Sequence, residues 1–163
     1  MTRTIETITF DDAVRFISLE ADCLDHRDYA AWLALWAKDG LYAIPIDPDA
    51  DDFADRLNYA YDDAAMRRMR VSRLTSGESM SARDASNTIR SLSRFRMLDD
   101  EPAPEIRIRC AQHLVDYRRG AYRTYAANVT YRLRIEDGGI RLAEKIVRLI
   151  NSTDALAGMS FLL

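Results

Sequence analysis

The stretch that most limits what this chain can fold into is YRTYAANVTYRLRIEDGGIRLAEKIVRLI, from Tyr122 to Ile150. Tyr125, Ala127, Val129, Tyr131, Leu133 and Ile135 alternate with Ala126, Asn128, Thr130, Arg132 and Arg134. A period of two over that length predicts a long strand with one face on a core. The Asp137-Gly138 pair then predicts a tight turn, and IRLAEKIVRLI returns as the partner strand. Upstream, IRIRCAQHLVDY has the same rhythm, with Ile106, Ile108 and Cys110 on one face and Arg107 and Arg109 on the other. TIRSLSRFRM (Thr88–Met97) reads as a further strand with a flawed alternation, and DDEPAPE as the loop leading out of it.

The first half follows a different period. In TFDDAVRFISLEADCLDHRD, Thr9 and Asp12 form the pattern of a capping box, and Val14, Ile17, Ala21 and Leu24 fall on one helical face. DYAAWLALW predicts a second helix with Tyr29, Trp32, Leu33 and Trp36 on one stripe, stopped by Gly40 at positive φ. LYAIPI predicts a short strand that lies at an edge or ends near Pro45, which has no N–H to give a ladder. DPDADDFAD reads as an acidic loop, YDDAAMRRMRVSRL as a third helix with Asp62 and Asp63 at its start, and Thr75–Asn87 as a long loop. Helices first and antiparallel strands last define an α+β domain, here one domain over 1–163. A long twisted sheet of this kind curls around its helices into a cone with a pocket inside.

Composition narrows the function. A net charge of −3 and a pI near 5.4 offer no footprint for nucleic acid. No apolar run approaches a membrane span and MTRTIETITFDD lacks the apolar centre of a signal peptide, so a cytoplasmic location is expected. Cys23 and Cys110 sit within apolar patterns and read as buried free thiols. Only two of the 23 basic residues, Lys38 and Lys145, are lysines. GC-rich codon usage accounts for such a bias, and so does a need for arginine in interfacial ion pairs; the two are compatible.

Few residues offer chemistry. An iron site needs two histidines and a carboxylate, but His26 ends a helix while His113 lies in a distant strand. A Rieske cluster needs two Cys and two His at close spacing, which Cys23 and Cys110 do not have. Asp47, Asp49 and Asp51 alternate as calcium ligands would, yet Asp52 and Asn58 stand where an EF-hand needs Gly and Glu. One catalytic arrangement survives, a pocket with an Asp or His base and a Tyr to polarise a carbonyl. Its candidates are Asp39, Tyr42, Tyr61, Asp62 and His113. Each also has a structural role to hand, as a helix stop, a cap or a packed ring.

The order of segments then becomes recognisable. Glu20-Ala21 and Leu24-Asp25 lead to Tyr29, Trp32 and Leu33. Asp39, Tyr42 and Pro45 follow, then Tyr61-Asp62-Asp63, Arg70-Val71, Arg73-Leu74 and the closing RLAEKIVRLINSTDALAGMSFLL. Together they resemble the small (beta) subunit of bacterial aromatic-ring-hydroxylating dioxygenases. The resemblance implies a nuclear-transport-factor-2-like, scytalone-dehydratase-like cone and a structural, non-catalytic role, with no cofactor in this chain. It implies a large (alpha) subunit that holds the Rieske 2Fe–2S cluster and a mononuclear Fe(II), with a homotrimer of small subunits inside an α3β3 assembly. The segment after Gly77 departs from the family pattern: Met80 stands where a Trp is expected, Ala85 near an expected Pro, and Asn87 near an expected Arg. The rival expectation is a stand-alone cone-fold isomerase or dehydratase that uses the Asp/His/Tyr pocket.

Overall fold

The capping box forms as the sequence predicts. In the computed structural model, which describes residues 5–76, 85–154, 156 and 159–163, the Thr9 hydroxyl accepts from the Asp12 N–H at 3.2 Å. The Asp12 carboxylate accepts from the Thr9 N–H at 3.1 Å, so two helix-end donors are satisfied reciprocally. Helix α1 (Phe10–Asp25) then buries Ala13, Ile17, Glu20, Ala21, Cys23 and Leu24, with Val14 half-buried. Asp28 caps α2 (Tyr29–Ala34), accepting from the Ala31 N–H at 3.1 Å.

Here the structure corrects the sequence reading. The helix ends at Ala34, and Trp36 opens strand β1 (Trp36–Pro45) instead of closing the helix. Gly40 is not a stop at positive φ; it lies inside β1. The reason is the parallel pairing of β1 with β6 (Gly139–Leu149), in which Trp36 faces Leu142 and Leu41 faces Glu144, with a bulge between them. A Cβ on Gly40 would stand 2.7 Å from Trp36 Cε3 and 3.0 Å from the carbonyl oxygens of Ala37 and Leu142. Pairing to a distant strand has overridden a local helical period.

β2 (Asn58–Asp62), which the sequence reading did not identify, pairs antiparallel with β1. Asp62 therefore closes a strand, and Asp63 alone caps α3 (Ala64–Thr75), accepting from the Met66 N–H at 2.9 Å. β1 is interior to the sheet and ends at Pro45, where its register with β2 shifts. β3 (Asn87–Met97), β4 (Glu105–Arg118) and β5 (Ala121–Glu136) complete one six-stranded sheet in the order β2-β1-β6-β5-β4-β3. All its pairings but β1–β6 are antiparallel. The flawed alternation of β3 is a bulge between Ser93 and Arg96, with Arg94 at φ +53°. Asp137 and Gly138 both have positive φ, as the tight hairpin turn requires, and Arg119-Gly120 makes the β4–β5 turn in the same way.

The predicted inward residues are inward: Ile106, Ile108 and Cys110 on β4 and Tyr125, Ala127, Val129, Tyr131 and Leu133 on β5 are buried, and Ile135 is half-buried. α1 lies against β3, and α3 against β1 and β2. The acidic loop after β1 is pinned to the opposite face of the sheet by Ala50 and Phe53, which pack on Ala43 and Ile146. Of the predicted loop between Thr75 and Asn87, residues 77–84, with Gly77 and Met80, lie outside the described residues. Among the described residues, no helix is long and apolar enough to cross a membrane.

Candidate functional site

The concave face of the sheet carries a buried ionic centre. Tyr42 on β1, Lys145 on β6 and Tyr131 on β5 are register partners, side by side across three strands. The Lys145 ammonium lies 5.9 Å and 5.7 Å from the ring centroids of Tyr42 and Tyr131. Its counter-ion is Glu20, one turn along α1 from Ile17, with Nζ–Oε1 at 2.8 Å and both side chains essentially inaccessible. The indole N–H of Trp32 donates to the same oxygen at 2.8 Å. Burial lowers the Lys145 pKa, and the Glu20 charge opposes that shift. Burial likewise raises both tyrosines, and it pushes the Cys110 thiol up to about 12.

A second set of charges closes the mouth. Arg70 grips Asp62 with two hydrogen bonds of 2.5 Å and 2.9 Å. Asp25 accepts from the Thr88 hydroxyl at 2.9 Å, from the Arg90 N–H at 2.8 Å and from the Arg90 guanidinium. Arg90 also donates to the Leu162 carbonyl. Tyr42 donates to the Leu163 carbonyl at 3.0 Å and accepts from its N–H at 3.1 Å. Phe161, Leu162 and Leu163 are thereby buried, with Phe161 edge-on to Tyr125 at 5.3 Å. Beside them a cavity of about 270 Å³ remains, walled by Ile44, Tyr59 and Arg70. Burial lowers the Arg67 guanidinium to about 10, which leaves it cationic at neutral pH.

The candidate catalytic residues do not converge. Tyr42 and Asp62 are buried register partners, but each polar group is taken up by Leu163 or Arg70. Asp39 is exposed and bound to Arg134 at 2.5 Å, which holds its carboxyl below the usual range. Tyr61 is 44% exposed. His113 is exposed on the outer face of β4, opposite Ser91 and Ala126. The Glu20–Lys145 pair escaped the sequence reading although a signal existed. Lys145 stands in phase with Ala143, Val147 and Leu149, and Glu20 shares a face with Ile17 and Leu24. A lysine inside an inward apolar series implies a buried anion to meet it.

Neither iron nor a Rieske cluster fits this set. His26 and His113 are exposed, whereas Cys23 and Cys110 are buried and held as thiols. Among the described residues, no three of His, Cys, Asp and Glu stand together as metal ligands would.

A curved six-stranded sheet around helices is the nuclear-transport-factor-2-like cone. The family model described as "Ring hydroxylating beta subunit" matches residues 19–154, and the chain belongs to that family. It is 35% identical to the small oxygenase component of the p-cumate 2,3-dioxygenase system of Pseudomonas putida, over 77% of this chain and 71% of that one. It is 28% identical to the 2-halobenzoate 1,2-dioxygenase small subunit of Burkholderia cepacia, over 86% of this chain and 87% of that one. The crystal structure of the beta subunit of benzoate 1,2-dioxygenase from Burkholderia mallei overlays with a TM-score of 0.79, at 19% identity, covering 97% of this chain and all of that one.

Proposed function

We propose that this chain is the non-catalytic small subunit of a dioxygenase that hydroxylates an aromatic carboxylic acid. A large subunit supplies the Rieske cluster and the mononuclear iron, and three copies of each chain form the assembly. The substrate class follows the two curated relatives, whose names specify p-cumate and 2-halobenzoate. The observation that carries the reading is the internal pairing of the candidate groups. Tyr42 is engaged with Leu163, Asp62 with Arg70, and Glu20 with Lys145, so these interior groups are already taken up within the chain. Against the isomerase reading stands His113, which points away from that interior.

The test is co-purification from the native cell extract. Tagged chain is expected to bring down a larger iron–sulfur polypeptide, and the pair to consume O₂ with an aromatic acid. The small chain alone is expected to carry no stoichiometric iron and to turn nothing over. Turnover by the isolated chain, abolished by Asp62→Asn or His113→Ala, would establish the isomerase reading instead.

A further inference from the structure

The cavity of about 270 Å³ between β1, β2, α3 and the chain after β6 has no task in the assembly reading. Its walls are mostly apolar. Tyr42, Tyr59 and Phe161 bring three aromatic rings to them, and Ile44 and Met159 add aliphatic and thioether surface. Tyr42, Ile44 and Leu163 are buried and form its floor, while Tyr59, Arg70 and Met159 are half-buried and form its mouth. Both phenol hydroxyls are committed: Tyr42 exchanges hydrogen bonds with Leu163, and Tyr59 donates to the Ser152 carbonyl at 2.7 Å. The two tyrosines therefore offer a ligand their rings. Apolar cavities of roughly 150 Å³ take up benzene, so this one has room for a single substituted ring.

Arg70 supplies the polar contact. Its Nε and Nη2 are held by Asp62 at 2.5 Å and 2.9 Å, and its Nη1 donates to nothing among the described residues. The Asp62 side chain is 1% exposed behind it, so the guanidinium reaches the cavity with its charge already balanced. The nearby cations Arg90 and Lys145 are balanced in the same way by Asp25 and Glu20. An anion entering here would find no unbalanced cation to offset its desolvation and would face the Asp62 carboxylate. A neutral acceptor oxygen, by contrast, can take the spare N–H. We propose that this cavity binds a compact, uncharged aromatic molecule bearing one acceptor oxygen, with its ring among Tyr42, Tyr59 and Phe161 and its oxygen on Arg70 Nη1. The site adds a ligand to the assembly role and does not depend on it.

Isothermal titration of the full chain with acetophenone, toluene and benzoate tests the site. Acetophenone is expected to bind about tenfold more tightly than toluene, through a hydrogen bond to a charged donor, and benzoate to bind most weakly. Two variants, checked for folding by thermal melting, locate the ligand. Met159→Trp is expected to fill the mouth and abolish binding of acetophenone and toluene alike. Arg70→Lys keeps a cation on Asp62 but has only one nitrogen, so the preference for acetophenone over toluene should vanish while toluene binds as before. Should Arg70→Lys fail to fold, the three probes and Met159→Trp decide. Absence of acetophenone binding, equal affinities for acetophenone and toluene, or a preference for benzoate would each overturn the inference. Unchanged acetophenone affinity in Met159→Trp would place the ligand elsewhere and overturn it too.

Discussion

Lys145 is the residue on which the interior turns. Its ammonium is fully buried, and the structure answers that cost with the Glu20 carboxylate at 2.8 Å and two flanking tyrosine rings. Removing one member of such a pair is worse than removing both, because a lone buried charge has nothing to neutralise it. Lys145→Met is therefore expected to destabilise the fold by about 3–5 kcal/mol. The double variant Glu20→Gln/Lys145→Met should recover much of that loss, since glutamine still offers Trp32 an oxygen. Urea unfolding of the three proteins measures both quantities. A Lys145→Met midpoint equal to that of the parent would mean that the pair is dispensable.

Among the elements, β1 is the one the sequence disguises. Its first residues continue the helical stripe of Tyr29, Trp32 and Leu33, and what makes them a strand is the parallel register with β6, more than a hundred positions away. Gly40 is the trace of that register in the sequence: a glycine chosen for close backbone approach looks the same as one chosen to stop a helix. Gly40→Ala is expected to cost about 1–3 kcal/mol through overpacking. The ring of Trp36 can shift, but the carbonyls of Ala37 and Leu142, at 3.0 Å, are backbone and cannot swing aside. A midpoint unchanged in denaturant would show that the bulge accommodates a methyl. By contrast α1, β4, β5 and the Asp137-Gly138 turn were legible, because a cap, an alternation or a positive φ is written into adjacent residues. The candidate site was less so. Tyr42 and Asp62 did come together, but their partners Leu163 and Arg70 are fixed by packing, which no local spacing encodes.

For the molecule as a whole, a closed cone has a consequence for its stability in base. Cys110, Tyr42 and Tyr131 all lie on the concave face, where burial holds each in its protonated form. In the unfolded chain the thiol ionises near 9.0 and the phenols near 10.0. A group whose pKa is higher in the fold contributes stability that is complete below its unfolded value and is lost as pH rises toward the folded value. For Cys110 that window runs from 9.0 to about 12. Lys145 acts in the opposite sense, since its pKa is lowered from 10.5 and the unfolded chain keeps its proton longer; its contribution rises with pH but is exhausted by about that value. Arg67, lowered from its ordinary value to about 10, acts in the same sense as Lys145 at higher pH, so the Cys110 share of the fall in the urea midpoint above pH 9.0 is isolated by removing the thiol. In Cys110→Ala the fall should be shallower, by at most about 1.4 kcal/mol for each pH unit. Because the alanine also leaves a small void, the comparison is between slopes and not midpoints. Equal slopes in the two proteins would mean that the thiol ionises as readily in the folded state as in the unfolded one, which requires water to reach a side chain that the fold buries completely.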